Sequence, residues 1–394
     1  MISFVESLDR RRLAWWLLCA SLSVHLPIAA VALRDSRLPD ADFESYYNIA
    51  TRSGRPYVDF AVEYPLATAQ TFRAIAPIAG DRKRFGYSLV ILSVAADAAI
   101  AGALAWGWGI PAAACYAFVM IPLLDLFLLR FDLWPTALAT VAAAAWQRDR
   151  RALAAVGFVA GGAFKLWPLL FLPLLLVASG ARRRIAPLAI AIGSGLMVLA
   201  VWLWVAGPSG LYQVLTFRGA RGWEIESTVG AVWMLFDRSS MRNESGAWRI
   251  GTMNAPITIV LMALGAGGCA WMIWRGARVG RLGAGWAGGI SFLLFLSALL
   301  SPQFSAWMAP ASGIAWAEED RRTSVLTGLA VLATNLVFKS FSPLLHGAPR
   351  ALMLVHARNI LLAFLAFDVA RRLTRAPVMN DSGERSIAQA SSGG

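Results

Sequence analysis

Five carboxylates lie close together in one polar segment of an otherwise apolar chain. They are Asp40, Asp42, Glu44, Asp59 and Glu63. An apolar run at 13–33 leads directly into this segment, so these side chains are expected just outside a membrane. A carboxylate that lies within hydrogen-bond reach of a hydroxyl group can act as a general base. The pattern therefore indicates proton-transfer chemistry at a membrane surface.

Asp40 and Asp42 each allow another interpretation. Asp42 lies just before a helical pattern at 43–52, where its side chain could cap the helix. The Asp-x-Asp spacing of Asp40 and Asp42 is also compatible with a divalent cation, but two residues are a weak signal. The three histidines, His25, His346 and His356, are scattered, so no metal site is assigned.

The composition predicts a polytopic membrane protein of the all-α class. Hydrophobic residues make up 58% of the 394 positions and the mean hydropathy is +0.58, whereas soluble domains have about 45–50% apolar residues. Runs of about 20 apolar residues are long enough to cross a bilayer as helices. The runs are continuous and rich in Ala and Leu, which disfavours a β-barrel. The first run is interpreted as a retained helix, because no cleavage site closes it.

Clusters of arginine between the apolar runs predict the orientation of the chain. They are Arg10 to Arg12, Arg148 with Arg150 and Arg151, Arg182 to Arg184, Arg275 with Arg278 and Arg281, Arg321 with Arg322, and Arg371 with Arg372 and Arg375. Cytoplasmic loops carry an excess of Lys and Arg, and placing each cluster on that side gives a bundle of about 12 transmembrane helices. The predicted spans are 13–33, 87–107, 109–129, 132–147, 151–164, 166–179, 185–206, 255–275, 283–300, 302–317, 323–341 and 350–370. Large outer segments are then expected at 34–86 and 207–254. An interfacial helix is expected within 65–80, and its alternative is a segment that spans the membrane.

These spans form one predicted transmembrane domain over 1–375, followed by a disordered cytoplasmic tail at 376–394 that is rich in Ser and Gly. The net charge of +13 is explained by loops that flank the membrane, so no nucleic-acid partner is expected. The three lysines against 33 arginines indicate a GC-rich genome. No phosphate-binding Gly-rich loop is present, which disfavours the use of ATP or a nucleotide sugar.

Several basic residues are candidates for binding a phosphate group. Lys165 lies within an apolar run, where a charge is costly and is usually functional or paired, although it could also snorkel to the interface. Arg218 and Arg221 lie in an aromatic-bearing outer segment, and a planar guanidinium suits phosphate. Lys339 and Arg350 are further candidates.

Three more outer residues could contact a substrate. Trp223 could stack on a sugar ring, whereas Glu63 and Glu226 could orient an acceptor or hold the arginines. Arg358 is expected to have a structural role, pairing with Asp97 or Asp125 between helices.

Four motifs, taken in order along the chain, resemble glycosyltransferase family 87. The first outer segment resembles that of the family through Asp42-Phe43-x-x-Tyr46, Gly54-x-Pro56-Tyr57-x-Asp59-Phe60 and Glu63-Tyr64-Pro65. Later matches are Phe164-Lys165-Leu166-Trp167-Pro168, Arg221-Gly222-Trp223-Glu224-Ile225-Glu226-Ser227 and Ser301-Pro302-Gln303-Phe304-x-x-Trp307. Pro65-Leu66 departs from the two prolines of many relatives. The order of the motifs carries more weight than any one of them.

The resemblance implies a membrane enzyme of the GT-C type that uses a polyprenyl-phosphate sugar and no other cofactor. It implies that Asp42 is the general base, with Asp40 and Glu63 as the alternatives. Asp40, Tyr46, Asp59 and Gln303 are expected to contact substrate. The enzyme would transfer a sugar with inversion, mannose in the first instance and arabinofuranose in the second, to a glycolipid or cell-wall glycan. It would be a monomer among membrane lipids, in the plasma membrane of an actinobacterium, with its active site on the outer face.

A transporter or flippase for a lipid-linked glycan is the alternative from another functional class. Such a protein would distribute its charges near the midplane and would often contain internal repeats. The acidic residues of this chain gather instead in one outer segment, and no repeat is evident. The enzyme interpretation is therefore favoured.

Overall fold

A computed structural model describes residues 41–177, 181–244 and 246–377, together with single positions between 12 and 29. The described residues are mostly helical, which confirms the predicted class. The described positions between 12 and 29 are helical, whereas most of the tail at 376–394 lies outside the described residues. The helices with given bounds are α1 (Ala41–Thr51), α2 (Leu66–Ala79), α3 (Arg82–Trp108), α4 (Ile110–Met120), α5 (Leu124–Phe127), α6 (Leu133–Gln147), α7 (Arg151–Phe164), α8 (Ala181–Leu215), α9 (Thr228–Trp233), α10 (Ala255–Arg278), α11 (Leu282–Leu296), α12 (Ala309–Ala317), α13 (Arg321–Lys339), α14 (Phe341–Leu345) and α15 (Pro349–Arg375).

Four of these helices are long and apolar enough to cross a membrane: α3, α10, α15 and the part of α8 from Arg184. Shorter apolar helical segments occupy the ranges of several other predicted spans, among them α4, α7 and α11. The chain therefore has the helices of a membrane protein.

Prolines break three of the predicted spans. The range 109–129 is interrupted by a 3₁₀ turn at Ile121–Leu123, the range 166–179 is a 3₁₀ segment at Trp167–Leu176, and the range 302–317 begins with the 3₁₀ segment Pro302–Trp307. Proline removes a backbone donor and clashes with the preceding turn, so a regular α-helix is disfavoured at these places. The helix α8 bends at Gly207, which has a φ of 64°, close to the predicted end of a span at 206.

The outer segment at 207–254 contains a small sheet that the sequence did not predict. Its strands are β1 (Trp223–Glu224), β2 (Arg242–Glu244) and β3 (Ala247–Ile250), in the antiparallel order β1-β3-β2. The Ile225 amide also donates to the carbonyl of Trp248 at 3.1 Å. The sheet fixes the position of the residues that follow β1.

Side-chain contacts bring the arginine clusters together at one end of the bundle. Arg275 donates to the carbonyl of Leu373 at 3.0 Å, and Arg372 pairs with Asp320 at 2.7 Å. Arg148 donates to the carbonyl of Trp106 at the last turn of α3. The first turn of α3 lies at the other end of the bundle, where Arg82 pairs with Glu44 of α1. The acidic segment, with the basic residues Arg82, Lys83 and Arg84, therefore lies at the end of α3 opposite to Arg148.

Glycines allow α10 and α11 to pack closely. A methyl group added to Gly285 would lie 2.4 Å from the carbonyl oxygen of Met272. The same addition at Gly276 would meet the backbone of Arg281 at 2.7 Å. Small residues at helix contacts let the two backbones approach, which is the main source of packing energy between helices in a membrane.

We expect Gly285→Ala to destabilise the protein by about 1–3 kcal/mol, the usual cost of overpacking. The measurement is the thermal unfolding midpoint in detergent. Gly267→Ala on α10 is the matched control, because nothing lies within 4 Å of the added methyl group. Equal midpoints for the two variants would contradict the close packing.

Candidate active site

A cavity of about 1090 Å³ opens at the end of the bundle that holds the acidic segment. The charged side chains that line it are Asp42, Glu44, Arg52, Glu63, Arg130, Asp132, Lys165, Arg218, Glu224, Glu226 and Arg249. They come from both outer segments and from the ends of several helices. A cavity with so many charges beside an apolar bundle requires these charges to be paired.

Asp42 lies in the first turn of α1, and its carboxylate faces the cavity. Its Oδ2 forms an ion pair with Arg130 and accepts a hydrogen bond of 3.2 Å from Gln303. Tyr46 lies one turn later on α1 and stacks on Phe72 of α2, with ring centroids 4.7 Å apart. The buried ring of Tyr46 therefore anchors the helix that carries Asp42.

A second ion pair joins Asp132 and Lys165 at 2.6 Å, and the Asp132 side chain is 1% exposed. The same carboxylate oxygen, Oδ1, accepts a hydrogen bond of 3.0 Å from the indole of Trp307. The Lys165 ammonium lies 4.6 Å from the ring centre of Phe304 and 5.0 Å from that of Trp307. Cation–π contacts of this kind are strongest where water is excluded. Lys165 is thus held in place by a carboxylate and aromatic rings.

The third ion pair joins Glu63 and Arg218 at 2.8 Å and connects the two outer segments. Nearby, the side-chain amide of Gln213 accepts from the Val62 amide and donates to the carbonyl of Tyr57, both at 2.9 Å. Arg218 itself has a φ of 60°, a backbone conformation that is uncommon outside glycine. These contacts fix the first outer segment against the end of α8.

Two buried carboxylates come from the second outer segment. The Glu224 carboxylate accepts a hydrogen bond of 2.7 Å from the Leu300 amide. Burial raises the pKa of Glu224, and the charge of Arg249 acts in the opposite direction. Burial also raises the pKa of Glu226, to about 8, against the smaller opposing effect of Arg358. A carboxyl group with such a pKa is largely protonated at neutral pH.

The cavity brings together seven of the predicted catalytic and substrate-binding residues: Asp42, Tyr46, Glu63, Lys165, Arg218, Glu226 and Gln303. Other candidates are not among its lining residues. Asp59 is exposed and accepts a hydrogen bond from the Arg55 amide within a turn, whereas Trp223 is buried in a small core beside the sheet. Asp40 lies outside the described residues.

Three of the predicted phosphate-binding cations are also placed elsewhere. Arg221 is exposed, and its backbone bonds to Glu244 and Met253. Lys339 is exposed at the end of α13, and Arg350 is exposed at the start of α15. The structure thus brings Lys165 and Arg218 to the cavity but not the other three cations.

The side chain of Asp125, one expected partner of Arg358, is outside the described residues, and among those described Asp97 does not pair with Arg358. Arg358 bonds to the main chain instead. Its Nη2 donates to the backbone carbonyl of Glu226 at 2.7 Å. Asp97 bonds instead to His25 at 2.8 Å and to the hydroxyl of Tyr116 at 2.7 Å. Arg358 therefore holds the second outer segment on α15.

Charged cavity residues that were not predicted as site residues from the sequence include Arg52, Arg130, Asp132, Glu224 and Arg249. Arg130 and Asp132 are charges between two apolar runs, and the reasoning applied to Lys165 would have identified them. Arg249 is 3% exposed, but its burial depends on the sheet and had no signal in the sequence. Among the described residues, no group of three His, Cys, Asp or Glu side chains is arranged to hold a metal ion.

No model of a known protein family matches this chain. A search of curated proteins gives no match either.

Removing one partner of the buried Asp132–Lys165 pair should be strongly destabilising. We expect Lys165→Met to lower the unfolding free energy by about 3–5 kcal/mol, because it leaves Asp132 as an unpaired buried charge. The double variant Lys165→Met with Asp132→Asn should recover most of this loss. Thermal unfolding of the two single variants and the double variant forms the cycle that measures the coupling. Additive losses would show that the two side chains do not interact.

Proposed function

We propose that this chain is an integral membrane glycosyltransferase that uses a polyprenyl-phosphate sugar. It transfers the sugar, with inversion, to a hydroxyl group of a glycolipid or cell-wall glycan. Mannose is the first candidate for the sugar and arabinofuranose the second. The proposal joins the resemblance of the motifs to glycosyltransferase family 87 with the properties of the cavity.

The single observation that carries this proposal is the composition of the cavity wall. One cavity contains the carboxylate of Asp42, the basic side chains of Arg130, Lys165, Arg218 and Arg249, and apolar side chains from long helices. A lipid-linked phosphosugar has the same three chemical parts: a polar sugar, an anionic phosphate and an apolar tail. The cavity matches each of them.

In the proposed reaction, Asp42 acts as the general base. An acceptor hydroxyl oxygen attacks the anomeric carbon of the donor sugar while its proton passes to the Asp42 carboxylate. The bond from the anomeric carbon to the phosphate oxygen breaks, and its electron pair leaves with the polyprenyl phosphate. The leaving group departs as a stable anion, so the reaction requires no acid to protonate it.

The four basic side chains support the binding of the donor phosphate. Arg130 and Arg218 are paired with the carboxylates of Asp42 and Glu63, so a bound phosphate would share these cations with them. Guanidinium groups suit this role because they present several donors in one plane. Positive charge that is fixed before the reaction stabilises the negative charge that develops on the phosphate.

Apolar residues of α8 and α10 support the binding of a lipid tail. Val214 and Leu215 of α8 line the cavity, as do Met262 and Ala266 of α10. The 18-residue apolar windows of these two helices are only 11% and 22% buried within the protein. Both helices therefore border the cavity and also present apolar surface to the surroundings, as a donor that enters from the bilayer requires.

The separation of the two ends of the bundle supports the 12-span topology. With the arginine clusters in the cytoplasm, the acidic segment and the cavity lie on the outer face of a bacterial plasma membrane. The helix α2 then belongs to the outer segment, since Thr68 bonds to the carbonyl of Phe164 and Arg73 to that of Arg52. Short segments such as α6 are tolerated where protein surrounds them.

Substitution of the proposed base tests the reaction. We expect Asp42→Asn to reduce transfer from a polyprenyl-phosphate sugar by about 10²–10⁴-fold, the usual contribution of a general base. Because the change also removes the charge that pairs with the buried Arg130, activity is compared at a temperature at which the variant is folded. The measurement is turnover by purified protein without added nucleotide. Asp81→Asn is the matched control, because Asp81 caps α3 in the same outer segment and is not among the cavity residues. Activity of the Asp42 variant at the wild-type level would direct attention to Glu63.

Cysteine labelling tests the topology. In a background without the native cysteines, Ser53→Cys and Ser239→Cys should react with a membrane-impermeant maleimide on intact cells. Gln147→Cys, which is also exposed, should react only after the membrane is permeabilised. The opposite pattern would place the cavity in the cytoplasm and would exclude an outer active site.

A further inference from the structure

Glu226 is a cavity residue to which the proposed transfer reaction assigns no role. It follows β1 in the second outer segment, and its side chain lines the cavity although the residue is only 3% exposed. Its carboxyl oxygen Oε1 is buried and has no hydrogen-bond partner among the described residues. Buried polar oxygens in proteins nearly always have a partner. A carboxyl group that is held at the cavity wall without a side-chain partner can obtain one from a ligand.

The backbone around Glu226 is fixed from two directions, so the point from which its side chain extends is fixed as well. Arg358 and Asn359 of α15 donate to its carbonyl oxygen at 2.7 Å and 3.3 Å. Ser227 caps α9 by accepting from the Gly230 amide at 3.0 Å. Three more atoms here are buried without a partner in the described part of the chain: Arg358 Nε, Arg358 Nη1 and Asn359 Oδ1.

The charged groups that face Glu226 determine what it can bind. Arg358 approaches from α15, Arg130 from the turn before α6, and Glu224 from the same outer segment. Burial has the largest effect and raises the pKa of Glu226 to about 8, so the group is a neutral acid at pH 7. A neutral carboxyl group donates one hydrogen bond and accepts others.

These properties favour a neutral ligand. A bound cation would be repelled by Arg358 and Arg130, and a protonated carboxyl group offers an anion only one hydrogen-bond donor. A hydroxyl group both donates and accepts a hydrogen bond, as a protonated carboxyl group does. The cavity already contains an aromatic surface near this position, because Trp248 lines it beside Arg249. A sugar presents several hydroxyl groups on a compact ring.

We propose that Glu226 is a specificity-determining residue that hydrogen-bonds a hydroxyl group of a sugar in the cavity. In this role Glu226 favours a sugar with a hydroxyl group at the correct position over a sugar that lacks it. Asp42 remains the group that takes the proton of the acceptor hydroxyl. The sugar is either that of the donor or that of the acceptor glycan, since both enter the same cavity. The identity of the ligand as a sugar rests on the proposed function. The contact rests on the position of Glu226 in the cavity wall and on its carboxyl oxygen, which has no partner among the described residues.

The first test compares binding of the donor with binding of the lipid phosphate that remains when its sugar is removed. Wild-type protein should bind polyprenyl-phosphate mannose more tightly than polyprenyl phosphate, as measured by isothermal titration in detergent. Glu226→Ala should remove about tenfold of this difference, the value of one hydrogen bond, and should leave polyprenyl phosphate binding unchanged. Glu226→Gln should retain most of it, because an amide also donates and accepts. Glu319→Gln, which is exposed and lies at the other end of the bundle, is the control.

The second arm identifies the source of the hydroxyl group. If Glu226 contacts the acceptor sugar, Glu226→Ala should still bind polyprenyl-phosphate mannose more tightly than polyprenyl phosphate, by the same factor as the wild type. The variant should instead bind methyl α-mannoside about tenfold more weakly. In steady-state kinetics of Glu226→Ala, the KM for the substrate whose sugar contacts Glu226 should rise, whereas kcat should change less. Unchanged binding of both probes in Glu226→Ala would overturn the proposal.

The third arm is a pH profile of the same binding. Glu226 with a pKa of about 8 donates below that pH and loses its proton above it. Sugar-dependent affinity of the wild type should therefore fall between pH 7 and pH 9, whereas that of Glu226→Gln should be level. A level profile for both proteins would overturn the proposal.

These results are distinguishable from a failure of the proposed function. Sugar-dependent binding that requires Glu226, without any turnover, would reject the transferase function and retain the sugar contact. Turnover that requires Asp42, with sugar binding and its pH profile unchanged in the Glu226 variants, would retain the transferase function and reject the sugar contact. Because Glu226→Gln preserves the shape of the side chain, the pH comparison holds even where Glu226→Ala does not fold.

Discussion

The buried ion pair of Asp132 and Lys165 is the interaction on which the rest of the site depends. It joins the turn before α6 to the residue that follows α7, and the indole of Trp307 adds a third segment. An isolated charge at this depth would cost far more than an exposed one, so the three segments are stable only when they come together. The cavity forms around this contact, because its wall includes all three residues.

The same constraint explains the other polar contacts at this end of the bundle. Arg358 is fully buried and reaches a backbone carbonyl of the second outer segment rather than a carboxylate. Glu224 accepts from a backbone amide near the end of α11. Each contact connects a chain segment outside the apolar bundle to a helix within it. The polar groups therefore position the two outer segments that contribute to the site.

Features of the structure that depend on neighbouring residues could be predicted from the sequence, and features that depend on distant residues could not. Apolar runs and prolines act locally, so the helical class and the helix bounds near Arg151 and Phe164 could be read from the sequence. The cost of a charge in an apolar run also identified Lys165. The sheet that buries Arg249 depends on pairing between separate strands, and the partner of Arg358 lies 132 positions away. Spacing in the sequence contains no information about such contacts.

The contact between Gln303 and Asp42 has a consequence for the synthesis of the protein. The two residues are 261 positions apart, so at about 5–20 residues per second the ribosome adds the second about 15–50 s after the first. Arg130, only 88 positions from Asp42, is available much earlier. The nascent chain can form the Asp42–Arg130 pair while the wall at 301–307 does not yet exist. A product released before this point is inserted in the membrane without a complete cavity.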